Sequence, residues 1–570
     1  MANRITLFAS FDPVKLCCRQ KKVNDHFESE QIKWENERYE IQLCGYLLNL
    51  QQLQRDGGKM DIGTLIAGLY ARVGQGILKQ LKGSYTLAIL DKKENSFFVS
   101  NDLLSKKGLY YHIGEGLLFA SNSFFEVCEG LKERHIPLAY NQTALGMMMQ
   151  EGFLWGDATF ARQIKYLRPF EYLYGDKNGV ELKCLENTFG DSGVSYQEAL
   201  EGFDRLFNDA VTRQWQLAQQ EGTGQLASLS AGMDSRGVVL TACQRLGLEK
   251  PLCFTYAQSG SVDDRVARDI AVDFHLDHIF YELDSANFLF DADSAFPLNE
   301  GQQTYCGSTG ARAVSGMLDK GRYSVIHTGI LGGELMGDVQ FSKTKTAVAD
   351  KLSTAGTSQG LDCATIAQDY SKIMEKYSCS QQLEVEKHLR GSQNFSNMVG
   401  DRFEAISPFL DEEVYCFLTG LDTQYKYGRR LYIDWMNRYL PNGYITTYCH
   451  GKLKSNELVR KARYAVRLIK GKLFGKSPYD MNPFDYWAKN DPTIATRLSH
   501  QLEDILKPLA RQDKTAWEYL SHQTKRTDID GLVKAITAAK AMAQLEGAYA
   551  TKAVTHPTDD GQGEKNEDII

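Results

Sequence analysis

Ser230-Ala-Gly-Met-Asp-Ser235 is a loop of small and polar residues between an apolar run at 226–229 and a helix-like stretch at 237–246. A strand, a small-residue loop and a helix in this order turn backbone N–H groups and a helix N-terminus toward an anion. The hydroxyls of Ser230 and Ser235 can donate hydrogen bonds to phosphate oxygens, whereas the carboxylate of Asp234 would repel a bare phosphate. We therefore expect Asp234 to hold Mg²⁺ against a pyrophosphate group. No Gly-Lys-Ser/Thr follows, so this is not a Walker loop.

Strands and helices alternate on both sides of this loop. Ser195-Tyr-Gln-Glu198 is a capping box and predicts a long helix from Tyr196 to about residue 219. Strands are predicted at 226–229, 252–256, 278–281 and 323–327, and helices at 236–246, 263–274 and 309–318. This alternation predicts a doubly wound parallel sheet. Ligands bind beyond the carboxyl ends of the strands in such sheets, and the loop lies at one of those ends.

The chain before residue 185 has a different pattern, with short alternating segments separated by glycine-containing turns. Strands at 41–48, 84–90, 97–100 and 117–120, with a helix over 60–81, predict a mixed domain with antiparallel sheets. Residues 345 to about 550 are predicted to be largely helical. The predicted domains are 1–190, 191–490, a helical extension at 491–554 and a disordered acidic tail at 555–570.

Bulk composition excludes several classes of protein. The chain has 570 residues, 43% of them apolar, and a net charge of -7, which argues against a generally basic nucleic-acid binder. No apolar run approaches the length of a transmembrane helix, and the first residues do not resemble a secretory signal. The 12 cysteines form no CxxC pair, so we expect reduced thiols in a cytoplasmic protein. A homodimer is compatible with the sequence.

Two further segments lie at the same predicted edge of the sheet. Phe254-Thr-Tyr256 ends the second strand, where backbone groups could contact an adenine ring. The segment His327 to Glu334 follows the fourth strand, and its glycines permit close approach of a nucleotide. A flexible turn without a ligand is the alternative for this segment. Asp263-Asp264 opens the next helix, where paired carboxylates are also explained as solvated caps that suit the helix dipole.

These motifs together resemble the asparagine synthetase family. Leu229 to Ser235 is similar to its pyrophosphate loop, usually Leu-Ser-Gly-Gly-x-Asp-Ser. Several other segments follow the family in order, over roughly residues 1 to 450: Gly83-Ser-Tyr to Asp91, Asn101-Asp-Leu-Leu, Gly108-Leu-Tyr-Tyr111, Phe119-Ala-Ser121, Asp263-Asp-x-x-Ala267, Thr328-Gly to Glu334-Leu-Met-Gly337 and Ser407-Pro-Phe-Leu-Asp411.

The resemblance implies an N-terminal αββα glutaminase-like sandwich of the Ntn type, followed by a doubly wound ATP-pyrophosphatase domain with a helical C-terminal part. The family adenylates a carboxylate with ATP, releases pyrophosphate, and lets an amine attack to form an amide. By position, Mg²⁺ would be held by Asp234 and Glu334. The nucleotide would contact the loop and its neighbours: Leu229, Ser230, Ala231, Gly232, Met233, Asp234, Ser235, Tyr256, Thr328 and Gly329.

The N-terminal part departs from the family at the residues that hydrolyse glutamine. Active members place a nucleophilic cysteine directly after the initiator Met, and its freed α-amine is the base. Position 2 is Ala2, and the internal Cys17 and Cys18 lack that amine. The family's Asn-Gly oxyanion element reads Cys44-Gly45-Tyr46. We therefore expect this domain to be a structural remnant without glutaminase activity.

The synthetase part departs at three positions. Ala231 replaces the first loop glycine, which would cost roughly 1 kcal/mol if the residue needed a positive φ. The family's second metal-binding aspartate aligns with Gly333, so either Glu334 or Asp338 would have to supply that oxygen ligand. Ile330 occupies a position that often carries a catalytic Glu or Tyr, and it can transfer no proton.

A lysine further along usually stabilises the pentavalent phosphorus transition state in this family. Lys452 is the first candidate here and Lys454 the second, with surface lysines as the alternative for both. The basic segment 458–476 has apolar residues at helical spacing, which predicts an amphipathic helix with a basic face. Such a face is most often solvated, but it could also attract an acidic substrate, a membrane surface or a partner.

Two functions remain open at this point. The first is an ATP-dependent, amide-forming ligase that acts on a small-molecule or peptide carboxylate in a specialised amidation or cyclisation. The amine would be ammonia or a group of the substrate, since internal glutamine hydrolysis is not expected. The second is a catalytically degenerate nucleotide-binding protein with a regulatory or structural role, which the residues Ile330 and Gly333 favour.

Overall fold

The N-terminal part of the computed structural model contains two antiparallel sheets. The structure describes residues 4–11, 14–21, 31–57, 60–114, 116–190, 192–340, 342–348, 360–440 and 483–547. Its first strands are Arg4–Phe11 (β1), Val14–Lys21 (β2), Gln31–Glu35 (β3), Tyr39–Leu47 (β4), Gly83–Asp91 (β5), Ser96–Asn101 (β6), Tyr110–Gly114 (β7), Leu117–Ser121 (β8), Lys165–Tyr166 (β9), Glu171–Asp176 (β10) and Gly179–Cys184 (β11). The sheet orders are β2-β1-β8-β7-β9 and β11-β10-β6-β5-β4-β3.

Four helices accompany these two sheets in the described part of the chain. They are Leu50–Gly57 (α1), Ile62–Val73 (α2), Phe124–Glu133 (α3) and Gln142–Glu151 (α4). Helix α2 packs on β3 and β4, and α3 packs on β7 and β8. Buried side chains such as Leu7, Ala88, Val99 and Leu118 fill the space between the sheets. The predicted αββα sandwich is therefore confirmed. The helix predicted over 60–81 ends at Val73, and a 3₁₀ helix continues over Gly74–Lys79.

A parallel sheet forms the next part of the chain. A helix over Tyr196–Gln220 (α5) begins at the predicted capping box, in which Ser195 and Glu198 each accept a hydrogen bond from the other's backbone N–H. Strands and helices then alternate: Gly224–Ser228 (β12), Met233–Leu240 (α6), Leu252–Ala257 (β13), Val262–Phe274 (α7), His278–Glu282 (β14), Ala292–Asn299 (α8), Thr309–Met317 (α9) and Tyr323–His327 (β15). The predicted doubly wound parallel sheet is confirmed.

The fifth strand of this sheet was not predicted. Glu404–Ile406 (β16) pairs in parallel with β15 and completes the order β14-β13-β12-β15-β16. It lies within the region that the sequence predicts to be largely helical. Three residues that begin with a glutamate have no readable strand period, so only the pairing with β15 identifies this segment.

The rest of the described chain is helical. The helices are Cys363–Met374 (α10), Ser380–Val399 (α11), Glu412–Gly420 (α12), Thr423–Lys426 (α13), Arg430–Tyr439 (α14), Phe484–Asn490 (α15), Pro492–Leu506 (α16), Lys514–Gln523 (α17) and Ile529–Leu545 (α18). Helix α18 packs on α16, α4 and α8, so the C-terminal helices contact the N-terminal part of the chain. The predicted basic helix 458–476 and the tail 555–570 lie outside the described residues. In the described ranges, every helix is too short or too polar to cross a bilayer.

Candidate functional site

A cavity of about 210 Å³ lies at the carboxyl ends of β12, β13 and β15. It brings together most of the residues that the sequence predicts for the nucleotide: Leu229, Ser230, Gly232, Asp234, Ser235, Tyr256, Thr328 and Gly329. Its remaining lining comes from Ser228, Phe254, Thr255, Ile330 and Phe395. Ala231 and Met233 belong to the same loop, but they are buried and do not line the cavity. The three strand ends thus converge as a doubly wound sheet requires.

Hydrogen bonds within the loop fix its shape. The hydroxyl oxygens of Ser230 and Ser235 are 2.9 Å apart, and the backbone N–H of Ser230 donates to the Ser235 hydroxyl at 3.0 Å. The N–H of Gly232 donates to the Ser230 hydroxyl at 3.1 Å. Gly232 is the N-cap of α6 and offers no side chain to cap it. No side chain of the N-cap residue therefore occupies the first amides of α6, where the sequence predicts an anion.

Neighbouring elements anchor the loop from outside. Asp263, at the start of α7, accepts a hydrogen bond from the N–H of Ala231 at 2.8 Å. Arg236 is 1% exposed and donates from Nε to the carbonyl of Gly232 at 3.0 Å. Asp263 is thus more than a solvated cap, whereas Asp264 accepts from Gly260 N–H and pairs with Arg268. Ala231 is absent from the residues with positive φ, so its replacement of the family's glycine carries no backbone strain.

Gly329 packs directly against the loop backbone. A Cβ atom at this position would lie 2.4 Å from the carbonyl carbon of Asp234 and 2.5 Å from the backbone nitrogen of Ser235. Both of those atoms belong to the main chain and cannot move aside as a side chain can. The glycine at this strand end is therefore required for the loop itself to approach β15, in addition to any role toward a nucleotide.

The carboxylate of Asp234 is enclosed at the base of the cavity. Its Oδ1 atom is buried and accepts no hydrogen bond from the described part of the chain. Burial raises the pKa of Asp234 to about 7; nearby Glu334 and Asp338 add to the rise, and Tyr432 and Arg429 oppose it. An enclosed acceptor beside two further carboxylates suits a divalent cation, which would stabilise the ionised form. The donor set therefore fits the implied Mg²⁺.

Gly333 makes room for a carboxylate from a neighbouring position. A Cβ atom at 333 would lie 2.5 Å from Oδ2 of Asp338 and 3.4 Å from Oδ2 of Asp234. Gly337, with φ of 125°, turns the chain so that Asp338 returns toward Gly333. The Asp338 carboxylate therefore occupies the space into which the family's aspartate side chain would project. It forms an ion pair with Arg429.

Glu334, the predicted second metal ligand, has another neighbour. Its Oε1 atom lies 3.9 Å from Nδ1 of His388 on α11. It is close enough to Asp234 to raise the pKa of that carboxyl group, but it does not line the cavity. Across the ranges that the structure describes, no group of three or more His, Cys, Asp or Glu side chains is arranged so that all could hold one metal ion. A cation here would thus rely on one or two carboxylates together with the phosphate groups.

Three aromatic residues at the site were not among the residues that the sequence predicts for it. Phe395 on α11 lines the cavity, and Tyr432 on α14 faces Asp234. Phe409, inside the Pro-Phe-Leu-Asp segment, packs against Gly332, where an added Cβ would be 2.6 Å from its ring. No local pattern distinguishes these aromatic residues from ordinary core residues.

Lys452 and Lys454, the predicted transition-state lysines, lie outside the described residues.

The positions of the family's oxyanion element lie on β4. Gly45 has a φ of 128°, and a Cβ there would be 2.2 Å from the carbonyl oxygen of Ser84. Cys44 is buried in the apolar cluster between the two sheets. A thiol in that cluster offers no amide donor to an oxyanion. Position 45 thus accepts only glycine, and position 44 carries a buried thiol in place of a polar amide side chain.

Comparisons with known proteins agree with the motifs. A glutamine amidotransferase domain family matches residues 30–186. Asparagine synthetase (glutamine-hydrolyzing) 2 of Bacillus subtilis (strain 168) is 26% identical over 245 residues, which cover 40% of this chain and 31% of that protein. A Methanocaldococcus jannaschii protein that carries the same name provisionally is 26% identical over 227 residues, covering 39% and 43%. The chain thus spans less than half the length of these curated relatives.

Two solved structures also align with part of the chain. Glutamine phosphoribosylpyrophosphate amidotransferase from B. subtilis, complexed with ADP and GMP, aligns with a TM-score of 0.21 and 11% identity, covering 44% of this chain and 59% of that chain. The allosteric regulatory enzyme of purine biosynthesis aligns with a TM-score of 0.22 and 10% identity, covering 43% and 58%.

Proposed function

From an asparagine synthetase-like chain with a glutamine amidotransferase domain, we propose an ATP-dependent ligase that adenylates a substrate carboxylate and forms an amide. The observation that carries the proposal is the enclosed, unpartnered Oδ1 atom of Asp234 at the base of a cavity lined by three strand ends. A buried carboxylate oxygen of this kind needs a proton, a cation or another hydrogen-bond donor beside it. The uncapped helix N-terminus beside Asp234 attracts phosphate groups. We therefore assign the cation to the metal ion that accompanies a nucleoside triphosphate.

In this proposal, different residues of the cavity bind the adenosine part and the phosphate groups of ATP. Phe254 and Tyr256, on β13, offer an aromatic wall to the adenosine part. The loop amides and the hydroxyls of Ser230 and Ser235 bind the β- and γ-phosphates, which leave as pyrophosphate. Mg²⁺ held by Asp234 would neutralise the charge that develops on that leaving group. Arg236 and Asp263 keep the loop in the binding shape through their bonds to Gly232 and Ala231.

We further propose that this chain does not take its amine from glutamine. Cys44 is buried where the family has an oxyanion-stabilising asparagine, so the side-chain donor for an oxyanion is missing. Free ammonia or an amine of the substrate would then attack the acyl adenylate, which suits a specialised amidation or a cyclisation. Release of glutamate from glutamine by the purified protein would contradict this part of the proposal.

The test is the formation of AMP and pyrophosphate in the presence of candidate carboxylates. We expect at least one carboxylate class, among amino acids, peptides and sugar acids, to stimulate ATP–pyrophosphate exchange at least about tenfold over ATP alone. Exchange needs no amine, so it reports adenylation even while the acceptor amine is unknown. Glutamine should not replace ammonia or an amine in product formation.

The competing function is a nucleotide-binding protein without turnover. Gly333 and Ile330 favour it, because neither can ligate a metal or transfer a proton. The same assay separates the two functions. Tight ATP binding, with no carboxylate that promotes exchange above the Asp234→Asn background, would favour the protein without turnover.

The second metal ligand can be identified by direct binding of Mn²⁺, followed by electron paramagnetic resonance in the presence of ATP. Asp338→Asn should weaken Mn²⁺ binding by about tenfold or more, because the Asp338 carboxylate occupies the space of the missing aspartate side chain. Glu334→Gln should weaken it less than about threefold, since that carboxylate faces His388.

A swapped variant controls for disturbance of Arg429. Gly333→Asp combined with Asp338→Gly returns the carboxylate to the family position and removes the atom that an added Cβ would meet. It should recover most of the Mn²⁺ affinity that Asp338→Asn loses. A larger loss in Glu334→Gln than in Asp338→Asn would instead make Glu334 the ligand.

A further inference from the structure

A buried ion pair joins the N-terminal sandwich to the synthetase part. Lys106 lies in the turn between β6 and β7, and Glu412 is the first residue of α12. The Lys106 Nζ atom is 2.6 Å from Oε1 of Glu412 and also donates to the carbonyl of Leu410 at 3.2 Å. The side chains are 13% and 5% exposed. A charged pair this enclosed is held in one arrangement, unlike an exposed surface pair.

The surroundings hold the pair from the N-terminal side. Asp102 is fully buried, and its Oδ1 atom lies 3.9 Å from Nζ of Lys106. The same atom accepts a hydrogen bond from the backbone N–H of Leu104 at 3.1 Å. The N–H of Gly83 donates to Oε1 of Glu412 at 3.3 Å. Two segments of the sandwich, at Gly83 and at residues 102–106, therefore converge on a single carboxylate of the other part.

The segment that Lys106 holds also supports the nucleotide cavity. The N–H and the hydroxyl of Thr328 both donate to the carbonyl of Ile406, at 2.8 and 2.9 Å. The hydroxyl of Ser407 donates to the carbonyl of Ile330 at 2.8 Å. Leu410 N–H then donates to the Ser407 carbonyl at 2.9 Å. A continuous set of hydrogen bonds thus runs from Lys106 to the loop that follows β15.

The space between the two parts is incompletely filled at this point. A cavity of about 90 Å³ is lined by Tyr46 and Ser84 from the sandwich and by Ile330, Ser407 and Leu410 from the synthetase part. Lys106 also lines it. Where apolar packing is interrupted, directional polar contacts carry more of the positional restraint.

We propose that Lys106 is a positioning residue for the nucleotide site and that the sandwich, without glutaminase activity, is retained as a support for that site. Through Glu412 and Leu410 it fixes the segment 406–410, which in turn fixes Thr328 to Gly332 against the Asp234 loop. This inference rests on the proposed nucleotide site, but its structural half can be measured without nucleotide.

The test uses a double variant in which both charges are removed. Lys106→Met with Glu412→Gln removes both charges of the pair. Asp102 then loses its nearby cation, but burial already raises the pKa of that carboxyl group, so it can take up a proton and the fold should keep most of its stability. The anchor on the Leu410 carbonyl is nevertheless lost. We expect the Kd for ATP to rise about 3- to 30-fold, and amide hydrogen exchange across residues 328–332 to accelerate to a similar extent.

A second buried pair between the same two parts provides a matched control. Lys387 on α11 and Glu151 on α4 are 2.8 Å apart and do not line the nucleotide cavity. Lys387→Met with Glu151→Gln should change neither the ATP affinity nor the exchange of residues 328–332. Equal effects of the two double variants would show general destabilisation and would overturn the inference.

The two readouts separate this inference from the proposed function. ATP binding by the wild type with unchanged affinity and exchange in the Lys106 double variant would overturn the positioning role alone. If the wild type binds no ATP while the variant exchanges faster at 328–332 than the control, the positioning role stands and the proposed function fails.

Discussion

Asp234→Asn is expected to abolish AMP and pyrophosphate formation, by at least about 1000-fold, while it stabilises the nucleotide-free protein at alkaline pH. Loss of the carboxylate removes the enclosed cation ligand. The gain in stability arises because burial raises the pKa of Asp234 to about 7, from an ordinary value of 3.8. Between about pH 4 and pH 7 the folded protein keeps a proton that the unfolded chain has lost, so the free energy of unfolding falls as the pH rises.

Asparagine cannot ionise, so the variant lacks this slope and should be more stable at pH 8, on the order of 2 kcal/mol. Urea unfolding of the nucleotide-free wild type and variant between pH 4 and pH 8 measures the difference. Burial also raises the pKa of Glu386, to about 7, at a place outside the nucleotide cavity. Glu386→Gln should therefore flatten the pH dependence of stability without loss of turnover. Release of pyrophosphate by the Asp234→Asn protein would contradict the assignment of this cavity as the nucleotide site.

Gly329→Ala is expected to disable the site through sterics alone. An added Cβ would meet two backbone atoms of the Asp234 loop at 2.4 and 2.5 Å, so the loop or β15 must shift. Overpacking of this kind costs about 1–3 kcal/mol in stability. The shift also displaces the amides that would contact phosphate, so ATP affinity should fall by about 30-fold or more.

Gly316→Ala is the matched control for this substitution. Gly316 lies in α9, and an added Cβ there would meet no atom within 4 Å. In a helix the change should stabilise the protein by up to about 1 kcal/mol and leave ATP affinity unchanged. Calorimetric titration with ATP and thermal unfolding of both variants check the pair. Normal ATP affinity in Gly329→Ala would mean that nucleotide binding does not depend on the shape of this loop.

Much of the fold could be predicted because its signals are local. The capping box at Ser195, the apolar runs that became β12 and β13, and the short alternating segments of the sandwich each depend on neighbouring residues. Strand β16 could not be predicted, since its three residues acquire strand structure only by pairing with β15. The domain boundaries at 190, 490 and 554 stay predictions.

The residues of the candidate site also fall into a predictable group and a group that only tertiary packing defines. Spacing in the sequence placed Ser230, Asp234, Tyr256 and Gly329 at strand ends, and a parallel sheet aligns those ends at one edge whatever the details of packing. The spacing of residues in the sequence could not show whether Glu334 or Asp338 takes the place of the missing aspartate. The turn at Gly337 decides which carboxylate reaches Gly333, and that turn depends on packing against the carbonyl of Lys426.

The sequence by itself determined the two architectures, the alternation of strands and helices around the loop at 230–235, and most of the residues that line its cavity. Periodicity and hydrogen-bonding preference act over a few residues, so they can be read along the chain. Only the tertiary structure decided that Asp338 fills the space beside Gly333 and that Lys106 reaches Leu410, 304 positions away. Contacts between distant segments depend on how whole layers pack, and no local pattern encodes that packing.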